Sequence, residues 1–137
     1  MAPTTYSPVP LTALLCLALA ALPASGGGDQ PPAPEMPRFD DARLRLGRSV
    51  WMQACRSCHL LGVNGVLGML HFEQWGERLR LSREQLYRSV IAGMTKPDGT
   101  VVMPPRGGNA RLSDMELEAA VDYTLAAVAV LRDSELH

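Results

Sequence analysis

The chain has 137 residues, enough for one small domain and too few for a two-domain enzyme. Apolar residues make up 47%, a figure inflated by the front end, and aromatics only 5%, so the core has few large flat side chains of its own. A net charge of -1 argues against a nucleic-acid binder held by phosphate contacts.

In chain order, Leu11 to Leu22 forms a twelve-residue apolar run, short for a bilayer span and the right length for the apolar stretch of an export signal. Pro23 and Gly26-Gly27-Gly28 end it, and Ala24, Ser25 and Gly26 offer small residues for cleavage. Residues 1–26 are read as a signal peptide, the alternative being an uncleaved N-terminal membrane tether. Its removal leaves a periplasmic protein with no stable membrane span and two cysteines, Cys55 and Cys58. Residues 27–38 are rich in Gly and Pro and read as a linker, so the folded domain is placed at 39–133.

The remaining signals are helical. Asp40 to Ala54 carries Gly47, Val50, Trp51 and Ala54 at spacings of three and four. A shorter helix is expected around Glu73 to Leu79. Ser82 with Gln85 forms a capping box that opens Arg83 to Ala92, and Gly93 closes it. Ser113 with Glu116 opens a last helix with Leu117, Ala120, Val121, Thr124, Leu125 and Val128 on one face. No stretch alternates usefully with period two, so the expected fold class is all-α, with about four helices.

Cys55-Arg56-Ser57-Cys58-His59 carries the chemistry. C-x-x-C-H is the attachment signature of c-type haem: two thiols meet the two vinyl groups of one porphyrin, and the adjacent imidazole faces the iron. His59 is then the proximal ligand. Its Nδ1–H is expected on a backbone carbonyl between Gly62 and Leu70. Three other readings compete. Zinc would need two more ligands, and only His71 and His137 remain. A redox dithiol would follow a strand, which is absent from the reading. A Cys55–Cys58 disulfide leaves His59 unexplained.

From Gly47 to Val128 the chain resembles a class I cytochrome c, of the cytochrome c5 type. The resemblance rests on Gly47 and Trp51, the C-x-x-C-H run, Trp75 with Arg78, Gly93, and Met103-Pro104-Pro105-Arg106-Gly107-Gly108. It continues through Leu112-Ser113-Asp114 with Glu116 and Ala120-Val121-Asp122-Tyr123. It implies a small helical bundle around one covalent haem c, with first and last helices crossing so that Gly47 and Trp51 meet Tyr123. It also implies Met103 as the distal iron ligand and places Trp75 and Arg78 near the haem propionates. Pro104 and Pro105 stiffen the loop that would hold the Met103 sulfur. Met94 is the rival methionine. The run Gly65 to His71 departs from the family pattern, and His71 as a ligand would make a bis-His haem of lower potential.

Residues 38–111 carry 12 basic and 6 acidic groups, whereas 112–137 carry one basic and 6 acidic. Arg56 and Arg106 flank the haem motif and the methionine loop, so redox protein partners are expected to dock there, at the haem edge. The function expected is one-electron transfer by a monohaem carrier, not an enzyme. The alternative is a haem-bearing subunit of a larger oxidoreductase.

Overall fold

The computed structural model describes residues 34–136; the expected signal peptide and most of the expected linker lie outside them. Asp41 has extended backbone and its carboxylate accepts from Leu44 N–H at 2.9 Å, which starts α1 (Ala42–Val50). The helix does not stop where its apolar pattern fades. It passes through a π-helical turn, Trp51–Cys55, in which Arg56 N–H reaches back to Trp51 O, and on into α2 (Arg56–His59). Such a turn inserts one residue per turn and re-aims the side chains after it, here those of the C-x-x-C-H run.

A 3-10 turn, Phe72–Gln74, leads into α3 (Trp75–Arg78). α4 (Arg83–Ala92) opens with the expected box: Ser82 Oγ accepts from Gln85 N–H at 3.2 Å, and Gln85 Oε1 from Ser82 N–H at 2.9 Å. α5 (Asp114–Glu135) opens with the same device between Ser113 and Glu116.

Between α4 and α5 lies a feature that the helical reading lacks. β1 (Met94–Thr95) and β2 (Val101–Met103) pair antiparallel, with Met94 opposite Met103. Strands of two and three residues are too short to show a periodicity, and the Lys96–Thr100 turn between them is closed by Lys96 N–H on Thr100 O at 2.9 Å.

α1 and α5 cross at Gly47. A Cβ there would lie 2.8 Å from Tyr123 Cβ and closer still to the Ala119 carbonyl, so only glycine allows this approach. One turn on, the Trp51 and Tyr123 rings pack with centroids 6.1 Å apart, as the resemblance implied, and Phe39 meets Tyr123 edge-on at 5.9 Å. Leu60, Met69, Trp75, Ala127, Val128 and Leu131 belong to the same core.

The expected linker ends sooner than residue 38. Met36 is buried in the core, and Pro37 O accepts from Tyr123 OH at 3.0 Å, so the folded unit begins before Phe39. The prolines that suggest a linker also pre-set its φ, which lowers the entropy lost when the segment docks. On the far side of α5, Asp122 is buried and accepts from Arg43 Nε at 2.6 Å, Tyr87 OH at 2.8 Å and Arg83. It joins α1, α4 and α5 away from the haem motif.

Candidate functional site

The re-aimed end of the first helix leaves Cys55 half-buried and Cys58 exposed, with neither in a disulfide. Burial first, then the neighbouring Cys58, pushes the Cys55 thiol up to about 11. A dithiol oxidoreductase arranges the opposite for its attacking sulfur, so Cys55 does not suit that role. Among the described residues no three His, Cys, Asp or Glu side chains converge on a possible metal ion, which removes the zinc cluster from that set.

His59 ends α2 half-buried, its Nδ1 2.9 Å from Leu67 O. A carbonyl only accepts, so Nδ1 carries the proton and Nε2 keeps the lone pair for a metal. The carbonyl expected between Gly62 and Leu70 is therefore that of Leu67. The loop bearing it is held from three directions. Met69 N–H donates to His59 O at 2.6 Å, and His71 N–H to Gly68 O at 3.2 Å. Trp75 Nε1–H also donates to Gly68 O, at 3.0 Å. The His71 ring packs on glycine backbone: a Cβ on Gly62 would lie 2.7 Å from its Cε1, and one on Gly68 2.9 Å from its Nδ1.

Cys55, Cys58 and His59 line one crevice together with Met103, Pro104 and Gly107 of the methionine loop and with Ala54, Val66 and Val102. Met94, though opposite Met103 in the ribbon, does not line it, nor does His71. The methionine loop is pressed against the end of α4, where a Cβ on Gly93 would lie 2.6 Å from Met103 O and 2.7 Å from Pro105 N. Gly93 also needs its positive φ of 77° to turn the chain there. Two free thiols and an imidazole whose lone pair is set by the Leu67 carbonyl fit the attachment of a covalent haem, and a methionine and two valines line the same crevice.

The remaining expected residues divide. Trp75 is buried, its indole N–H is committed to Gly68 O and its backbone N–H to Phe72 O, so it offers no free donor to a propionate. Arg78 is half-buried at the end of α3. Arg56 is exposed, but Arg106 Nη1 donates to Leu112 O at 2.6 Å and Nη2 to the exposed carboxylate of Asp114, so the charge expected on a docking rim is paired within the chain. Leu67 O and Gly68 O escaped the sequence reading as individual groups, because backbone acceptors carry no side-chain signal.

Residues 42–123 match the family described as cytochrome c oxidase, cbb3-type, subunit III. The chain is similar to cytochrome c-555 of Chlorobaculum tepidum, 30% identical over 77 residues that cover 56% of this chain and 69% of that protein. Its identity to cytochrome c-555 of Prosthecochloris aestuarii is 29% over 87 residues, 62% of this chain and 88% of that one. Among solved structures, a chain in the crystal structure of an electron transfer complex of nitrite reductase with cytochrome c superposes with a TM-score of 0.53 at 30% identity. That superposition covers 61% of this chain and 94% of the other.

Proposed function

Since this chain belongs to the cbb3-type subunit III family of class I cytochromes c over residues 42–123, an electron-transfer protein with covalent haem c rather than an enzyme, we propose that it carries one haem ligated by His59 and Met103. The observation that supports this most is the single crevice shared by Cys55, Cys58, His59 and Met103. When bound, the haem supplies a one-electron ferric/ferrous couple. The protein sets the rest. Leu67 O, by accepting from His59 Nδ1–H, raises the basicity of the imidazole. The Met103 thioether is a neutral soft donor that favours ferrous iron. Val66 and Val102 give the crevice an apolar lining.

The carrier works outside the cytoplasm, after removal of residues 1–26, and passes electrons between exported redox proteins that dock at the haem edge near exposed Arg56. No helix among the described residues is long and apolar enough to cross a membrane. A second reading, a haem-bearing subunit of a larger oxidoreductase, draws on the family description, which is that of an oxidase subunit. Gel filtration of a native periplasmic extract followed at the Soret band separates the two: elution at monomer mass means a free carrier.

The ligand assignment is tested by Met103→Ala. The near-infrared charge-transfer band of oxidised His/Met haem should vanish, the sixth position should admit cyanide or carbon monoxide, and the potential should fall. Met94→Ala and His71→Ala should keep the band. Its loss in Met94→Ala moves the ligand there. A low-spin haem without the band in the unmutated protein replaces His/Met by bis-His ligation.

A further inference from the structure

Arg106 is, among the described residues, the one non-glycine with positive φ, at 55°. It opens three successive left-handed residues, continued by Gly107 at 61° and Gly108 at 83°. A Cβ in that region crowds the backbone, and glycine would occupy the position without strain. The sequence nonetheless keeps an arginine there.

What the arginine gains is at its far end. Its guanidinium fork bridges Leu112 O, at 2.6 Å, and the carboxylate of Asp114, the first residue of α5. The same turn is tied to the methionine loop through its backbone: Gly107 N–H donates to Pro104 O at 3.1 Å, and Asn109 N–H to Arg106 O at 3.1 Å. Met103 is thus connected, through Pro104 and this turn, to the first turn of the helix that crosses α1 at Gly47. The left-handed backbone and the half-buried side chain both belong to one tether.

We propose that Arg106 is a positioning residue, which anchors the Met103 loop to the start of α5 and so holds the thioether in the crevice. The inference rests on the reading of Met103 as iron ligand. Lysine keeps the charge but is a point donor without the planar fork, so it cannot hold a carbonyl and a carboxylate in one fixed geometry. Glycine relieves the backbone strain and cuts the tether.

The test uses the haem-loaded ferric protein and its Arg106→Lys, Arg106→Gly and Asp114→Ala variants, with cyanide as probe, because cyanide enters only when Met103 leaves. Cyanide association should rise about tenfold or more in both Arg106 variants, the scale of losing a charge-assisted hydrogen bond. Their near-infrared band should also disappear at lower temperature, with haem content and far-ultraviolet dichroism unchanged. Asp114→Ala, which keeps the Leu112 bond, should fall between. A faster rate in Arg106→Gly, despite its relaxed backbone, assigns the effect to the tether and not to strain. Cyanide rates equal to the unmutated protein's in all three variants overturn the proposal. So does a change confined to the salt dependence of electron transfer to an acidic partner, which would make Arg106 a docking charge. If the unmutated protein lacks the band, the Met103 assignment itself fails, and the proposal with it, a result distinct from both.

Discussion

Gly47→Ala is the sharpest probe of how α1 and α5 are held together. Two effects oppose one another. In a helix interior alanine is favoured over glycine by about 0.5–1 kcal/mol. Against this, the new methyl would lie 2.8 Å from Tyr123 Cβ and closer to the Ala119 carbonyl, well inside van der Waals contact, and the obstacle is mostly backbone. Overpacking of this kind costs about 1–3 kcal/mol, and a backbone obstacle cannot swing aside as a long side chain would, so the upper half of that range applies. The net loss is about 1–2 kcal/mol, or a melting temperature lower by roughly 4–15 °C in a domain of this size. Gly76 is the control: it is helical and exposed, and nothing lies within 4 Å of a Cβ built on it. Gly76→Ala should stabilise by about 0.4–1 kcal/mol. The measurement is thermal unfolding of the haem-loaded proteins by far-ultraviolet dichroism at neutral pH and equal haem content. A Gly47→Ala protein as stable as the parent would refute the close crossing, and equal losses at both positions would remove the steric explanation.

Asp122 links stability to acid. Burial raises its carboxyl, but the hydrogen bonds from Arg43 and Tyr87 and the charges of Arg83 and Arg43 outweigh it, and the group sits below the usual carboxylate range. A depressed folded value means the stabilisation is complete above the unfolded value, about 3.9, and is lost as pH falls through the folded one. Asp122→Asn should cost about 1–3 kcal/mol at neutral pH and flatten the stability profile below about pH 4 in denaturant titrations; an unchanged acid limb sinks this account. Trp75→Phe removes the indole donor from Gly68 O and loosens the loop that holds Leu67 O on His59. It should cost about 1 kcal/mol and raise the reduction potential, since a weaker Nδ1 hydrogen bond makes the imidazole a poorer donor; an unshifted potentiometric midpoint counts against it.

What the sequence discloses here is chemistry that neighbouring side chains perform on one another. Ser82 with Gln85 and Ser113 with Glu116 specify both long-helix starts within four residues, and the Cys55–His59 run declares its purpose within five. The β1–β2 ribbon stayed hidden because its strands are shorter than any readable period. The structural roles of Arg106 and Asp122 are hidden for another reason: a charge count treats every arginine and aspartate alike. It cannot see that one guanidinium sits on a left-handed turn, or that one carboxylate faces two arginines and a tyrosine.

The least legible group, Leu67 O, has a physical advantage as the partner of His59. A carboxylate in its place would add a full negative charge beside the imidazole and would titrate. A carbonyl accepts the same Nδ1–H with no change of charge at any working pH. Its position depends on backbone and on groups that hold backbone: Met69 N–H, Trp75 Nε1–H and the His71 ring against Gly62 and Gly68. The cost of that arrangement is that tolerance in the loop is set by packing. A substitution at Gly62 or Gly68, neither of which lines the crevice, would meet the His71 ring and displace the acceptor. On this side the environment of His59 is therefore governed by two glycines and a histidine whose identities look incidental in the sequence.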